Sequence, residues 1–196
     1  MDFALSGTPD VSEDRAMSQE RPFALHLTWT TYGTWLPGDT RGYVSNTLGE
    51  AGKWTARSNR TGTEYAADDP HTEAYANAAR KHETVWLNAA QAFLVAQSIV
   101  AAAGVRRWRI VRGAIMSNHL HLLMQDCPHN GPEVRRVLKG NSQSALSSAH
   151  GSSRRWWTAG GSDRYKNDDS AIETAIEYIR NQAGILVAIE ENEILM

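Results

Sequence analysis

The chain has one cysteine, Cys127, in 196 residues, which excludes an intrachain disulfide framework and any zinc site built on paired thiolates. No apolar run approaches the roughly 18 residues that a membrane-crossing helix requires. The most apolar stretch, residues 89–105, is broken by Gln91, Gln97 and Ser98 and reads as a core or interface helix. The opening residues lack a basic leader and an apolar segment, so the expectation is a cytoplasmic protein without a secretory signal or membrane partner. No GxxxxGK[ST] loop is present, which argues against a nucleotide cofactor. What is present is ordinary for a globular domain: 41% hydrophobic and 21% charged residues, in a chain long enough to bury one continuous core.

The net charge of -2 conceals a segregation. Residues 104–166 hold eleven basic side chains against three acidic, a local charge of +8, while residues 1–20 carry five acidic against one basic. A basic middle suits a polyanion, because each phosphate neutralised releases counterions. A solvated charged face is the equally weighted alternative. Arg106, Arg107, Arg109 and Arg112 surround Trp108, and Arg154 and Arg155 precede Trp156 and Trp157. Such interleaving of cations and rings is what single-strand binding favours, with two or three tryptophans expected on the nucleic acid.

Residues 1–20, rich in Ser, Asp, Glu and Gly, read as a disordered acidic tail. Residues 23–30 alternate with period two, putting Phe23, Leu25, Leu27 and Trp29 on one face and His26, Thr28 and Thr30 on the other, a half-buried strand. A polar excursion follows, with an insert at about 45–82. Next comes a helix that starts near Thr72 or Glu83 and ends at Gly104 in a left-handed cap. Residues 107–115 and 118–125 form a hairpin, and residues 132–148 a second helix opened by Pro132. A strand around Trp156, Trp157 and Tyr165 precedes a third helix, which starts at Ser170 with Glu173 completing a capping box. The pattern predicts a ferredoxin-like α+β domain over 21–185, an antiparallel sheet with helices on one face, an added C-terminal tyrosine-bearing helix, and a tail at 186–196.

Two constellations carry chemistry. His119 and His121 lie two apart on the second hairpin strand, so both imidazoles share a face about 6.8 Å apart at the backbone and can share one metal. A histidine-triad hydrolase would want a third histidine where Leu123 stands. On the third helix Tyr178 and Gln182, at i and i+4, line a stripe beside the apolar one of Ile172, Ile176, Ile179 and Ala183. The bland readings are a strand histidine pair and a tyrosine at the core edge. Each pattern alone arises by chance in roughly one sequence in four or five of this composition.

Together the segments LHLTWTTYGTWLPGDTRGYV, AIMSNHLHLLMQ, WWTAGGSDRY and AIETAIEYIRNQ, in this order, resemble the single-tyrosine HUH transposases, especially the REP-associated tyrosine branch. The resemblance implies a ferredoxin-like HUH domain in which His119 and His121 hold a divalent metal, Gln182 supplies the third ligand and Tyr178 is the nucleophile. It also implies Mg²⁺ or Mn²⁺, single-stranded or hairpin DNA as partner, and a homodimer in which the tyrosine helix can serve the partner's site. The residue types suit that chemistry. Two imidazoles and an amide oxygen leave positions open for a scissile phosphate, and imidazoles would also accept Zn²⁺ or Co²⁺. Attack by a tyrosine leaves a 5′-phosphotyrosine link and a free 3′-hydroxyl, which needs no external energy source. The alternatives are a non-cleaving, domesticated repeat DNA-binding protein, a small hydrolase using the histidine pair and water, and, last, a three-carboxylate transposase through Asp39, Asp126 and Glu133.

Overall fold

The structure, a computed structural model, describes residues 23–40 and 69–195, so the expected tail at 1–20 and most of the insert at 45–82 lie outside the described residues. The elements in chain order are β1 (Ala24–Thr30), α1 (Pro70–Ala78), α2 (Ala89–Val105), β2 (Arg109–Met116), β3 (His119–Gln125), α3 (Gly131–His150), β4 (Ser162–Lys166), α4 (Asp169–Arg180), β5 (Ile185–Glu190) and β6 (Glu193–Leu195). They build one six-stranded sheet in the order β4-β1-β3-β2-β5-β6, every neighbouring pair antiparallel. The first four positions have the ferredoxin-like order, and β5 and β6 extend it beyond β2. Among the described residues no helix is long and apolar enough to cross a membrane.

Period-two alternation divides the sheet into two different faces. Leu25, Leu27 and Trp29 of β1, Leu120, Leu122 and Met124 of β3, and Ile110 and Ile115 of β2 pack against α2 (Val95, Ile99) and α3 (Val134, Leu138, Leu146). Full burial of each such side chain is worth about 1.5–3 kcal/mol, so this layer dominates the stability. The opposite face carries a smaller apolar cluster, in which Ile172, Ala175 and Ile179 of α4 cover Ala24, Val111, Ala114, Met116 and Leu123. The tyrosine-bearing helix therefore lies across the sheet from α2 and α3.

Five boundaries differ from expectation, the first being that the strand expected around Trp156, Trp157 and Tyr165 spans only Ser162–Lys166, Trp157 making an isolated bridge to Thr31. The helix expected from Thr72 or Glu83 to residue 103 does not run unbroken: α1 ends at Ala78, residues 79–88 are non-helical with Val85 and Leu87 buried, and α2 starts afresh in a reciprocal capping box between Asn88 and Gln91. Gly104 is inside α2 and not its left-handed cap; Arg107 takes the positive φ of 57°. The cap of α4 is Asp168, whose carboxylate accepts from the Ala171 amide, and not Ser170. The stretch expected as a tail from residue 186 forms β5 and β6, with Val187 and Ile189 in the main core.

Ile189 is fully buried, so Ile189→Ala is expected to cost about 2–5 kcal/mol in urea unfolding. A loss below about 0.5 kcal/mol, typical of surface positions, would mean that the hairpin does not belong to the folding unit.

Candidate functional site

Register brings the site together. In the β1–β3 ladder Thr28 stands opposite His121 and Thr30 opposite His119, and in the β2–β3 ladder Ala114 stands opposite His121. Residues directly opposite share a face, so both histidines emerge on the α4 side of the sheet. His121 is buried, and its Nδ1 lies 2.8 Å from Thr28 Oγ1 and 3.2 Å from His26 Nε2. One proton between the two ring nitrogens satisfies that pair, an arrangement that two neutral rings can make. Burial lowers the His26 pKa to about 4, helped by Lys166 and Arg164, and lowers that of His121 to about 3, helped by His26 and His119.

The Nδ1 of His119 meets the Asn118 side-chain oxygen at 2.7 Å. An amide oxygen only accepts, so Nδ1 carries the proton and, in the neutral ring, Nε2 is the nitrogen with the lone pair. Asn118 is itself anchored: its carbonyl accepts from the Thr31 amide (2.9 Å) and lies within hydrogen-bond distance of the Thr31 and Thr34 hydroxyls. A cavity of about 210 Å³, lined by Thr30, Thr34, Trp35, Asn118 and His119, opens beside this histidine.

The apolar stripe of α4 sets its roll. With Ile172, Ala175 and Ile179 against the sheet, Tyr178 falls at the edge of the buried face, 51% exposed. Its ring packs edge-on against His121 (centroids 5.2 Å apart, 83° between planes) and against His26 (5.9 Å, 63°). The rings of His119 and His121 are 5.0 Å apart and perpendicular. Gln182 lies beyond Asn181, the C-cap of α4, and its Nε2 donates to the Tyr178 carbonyl at 3.0 Å. It is thus tied to the end of the tyrosine helix through its nitrogen, with its oxygen as the atom that could ligate. Among the described residues no group of three or more His, Cys, Asp or Glu side chains is arranged to hold a metal ion, so Asp39, Asp126 and Glu133 form no such set.

His26 and Thr28 are site residues that the sequence reading placed only on the polar face of a strand. Their signal was the polar half of the β1 alternation, and only the register with β3 shows that it meets His121.

The arginines scatter. Arg112 is buried and paired with Glu190 at 2.9 Å, so it cannot present itself to DNA. Arg109 makes a two-pronged pair with Glu191 (2.6 and 2.8 Å) and also contacts Gln125, at the end of β3 remote from His119. Arg106 and Arg107 belong to that same remote end, Arg106 lying over Trp108. Arg154 and Arg155 lie at the near end, since the Tyr32 amide donates to the Trp156 carbonyl and Thr158 N to Thr30 O. Trp108, Trp156 and Trp157 are at most 4% exposed and are core residues, so the two or three tryptophans expected on nucleic acid are not these three.

No protein-family model matches the chain, and no curated protein matches it in sequence. Among solved structures it is similar to a REP-associated tyrosine transposase bound to a REP hairpin, at 10% identity and a TM-score of 0.43. That match covers 80% of this chain and 63% of the other, so this chain spans less than two thirds of that protein. A candidate transposase from Deinococcus radiodurans R1 is similar at 17% identity and a TM-score of 0.38, over 82% of this chain and 91% of the other. Likeness at this level transfers no activity, and the functional reading rests on the side chains.

The two buried neutral histidines make stability depend on pH. Both folded pKa values lie below the ordinary 6.5, so the unfolded chain binds protons first as pH falls. Their contribution is complete above about pH 6.5 and is lost progressively toward pH 4. The thermal midpoint of the wild-type chain is expected to drop more between pH 7 and pH 5 than that of His26→Gln. Parallel curves would show that His26 is not held neutral.

Proposed function

We propose that the chain is a metal-dependent, single-tyrosine DNA endonuclease and strand transferase of the HUH transposase type. The observation that carries this reading is the packing of the half-exposed Tyr178 ring against His121, on the sheet face that also presents His119. His119 and His121 suit a divalent cation because both rings have Nδ1 engaged within the protein, and His121 is neutral at physiological pH. They would hold Mg²⁺ or Mn²⁺ through Nε2, with the Gln182 amide oxygen as third ligand. The cation, when bound, polarises a scissile phosphate oxygen.

Tyr178 supplies the nucleophile. Its phenol oxygen forms a bond to phosphorus, the bond from phosphorus to the 3′-oxygen breaks, the phenol proton passes to solvent and the released 3′-hydroxyl takes one up. A 5′-phosphotyrosine link remains, and attack by a 3′-hydroxyl reverses the step and rejoins strands. His26 and Thr28 act as positioning residues, holding His121 by its inner nitrogen so that its outer nitrogen keeps one direction. The substrate is read as single-stranded or hairpin DNA, in keeping with the basic charge of residues 104–166. Because Tyr178 meets His121 of its own chain, the reading has each subunit of a homodimer cutting in cis.

With 3′-labelled single-stranded hairpin DNA and Mn²⁺, the wild-type chain is expected to form a covalent adduct that survives denaturing electrophoresis. Tyr178→Phe should form none, and undiminished cutting by that variant would make water or another residue the nucleophile. His121→Ala should lower adduct formation at least a hundredfold while DNA affinity changes less than about threefold, and equal loss of both would make the histidine structural. DNA binding without an adduct in any metal would leave the non-cleaving DNA-binding protein as the reading.

A further inference from the structure

A second concave surface lies outside the ferredoxin-like core. Residues 80–83, which follow α1, face Ser152 and Arg154, which follow α3, across an open cleft of about 610 Å³. Its walls carry Arg80, Lys81 and Arg154 against one carboxylate, Glu83, with His82 beside them. The cleft is built, not incidental. Arg80 is held by hydrogen bonds to the Thr84 hydroxyl and the Asn77 carbonyl, and the Lys81 amide donates to the Tyr32 hydroxyl at 3.0 Å. Arg154 lies over the Trp156 ring, 5.1 Å from its centroid, reaches across to the Glu83 carbonyl at 3.4 Å, and keeps a buried Nε without a partner.

Its position relates it to the histidines. Tyr32, which binds Lys81 through its hydroxyl, also accepts from the Val85 amide through its carbonyl and donates its own amide to Trp156. Two residues earlier Thr30 stands opposite His119. Both walls of the cleft are therefore hydrogen-bonded to the segment that leaves β1 at the histidine end of the sheet. Three cations gathered on one concave surface, next to a site read as acting on a phosphodiester, match a chain of phosphates better than a single neutral ligand.

We infer that this cleft binds the sugar-phosphate backbone of single-stranded DNA running to or from the histidine and tyrosine site. The inference rests on the proposed function and gives a role to the carboxyl-terminal end of the insert, the stretch around residues 80–82. Lys81 and Arg154 make the phosphate contacts, by charge and without reading sequence.

Fluorescence anisotropy with a labelled single-stranded oligonucleotide tests it. The double variant Lys81→Gln, Arg154→Gln is expected to bind at least fivefold more weakly at 50 mM salt. Its slope of log affinity against log salt should be shallower by about 1.4, at roughly 0.7 per lost phosphate contact on a single strand. Arg154→Lys, which keeps the charge, should restore most of the affinity at that position. Arg136→Gln removes an exposed cation near the amino-terminal end of α3 and should leave the slope unchanged. Wild-type affinity and slope in the double variant, or an equal loss in Arg136→Gln, would overturn the inference. Full displacement of the oligonucleotide by tripolyphosphate at equal phosphate concentration would overturn it in favour of a small-anion site. Adduct formation by the wild-type chain is a separate readout. If no adduct forms while affinity still depends on Lys81 and Arg154, the tyrosine chemistry fails and the cleft stands.

Discussion

The antiparallel pairing of β1 with β3 is the constraint on which the candidate site depends. A slip of one residue would turn His119 and His121 into the α2 and α3 layer and expel Leu120, Leu122 and Met124 from it. Three large apolar side chains on β3 and three on β1, all buried in that layer, make such a slip cost many kilocalories per mole. The apolar core thereby acts as the alignment device for the polar face. The same lock sets Thr28 opposite His121 and brings His26 to it diagonally, so the inner side of the imidazole is supported by two residues of a neighbouring strand.

The chemistry that this arrangement permits comes from an asymmetry of burial. The imidazoles His26 and His121 are buried and neutral, whereas Tyr178 beside them is half exposed. A buried supporting layer under a half-exposed phenol leaves the tyrosine open to a polymer while the imidazoles beside it keep their directions, as the proposed chemistry would need. α4 achieves this with only one narrow apolar stripe, Ile172, Ala175 and Ile179. A wider stripe would have buried Tyr178, and a narrower one would not have fixed the helix on the sheet.

Charge is redistributed by the fold more than by composition. The appended β5–β6 hairpin brings Glu190 and Glu191 onto Arg112 and Arg109, and Asp163 of β4 pairs with Arg135. Three of the eleven cations along residues 104–166 are thus paired within the chain, two of them by carboxylates from outside that stretch. What stays turned outward near the site comes partly from elsewhere, from Arg80 and Lys81 in a segment with no sequence signature of binding. Burial likewise removes Trp108, Trp156 and Trp157 from any stacking role.

The strand alternation of β1 and β3, the hairpin between β2 and β3, the helices α3 and α4, and the spacing of His119 with His121 and of Tyr178 with Gln182 were legible in the sequence, because each depends on residues within a few positions of one another. The break between α1 and α2 was not, since Val85 and Leu87 become core residues only when residues 79–88 dock on the turn before β3. Nor was the role of the last residues, whose short apolar runs mean little until β2 offers an edge to pair with. By itself the sequence determined which residues share a face, since covalent geometry sets the repeat of a strand at two and of a helix at 3.6. Only the tertiary structure decided which faces meet. That His26, Thr28, His121 and Tyr178 form one cluster, and that Arg112 is silenced by Glu190, depends on pairings between residues tens of positions apart, which are selected by the burial of the whole core and not by any local pattern.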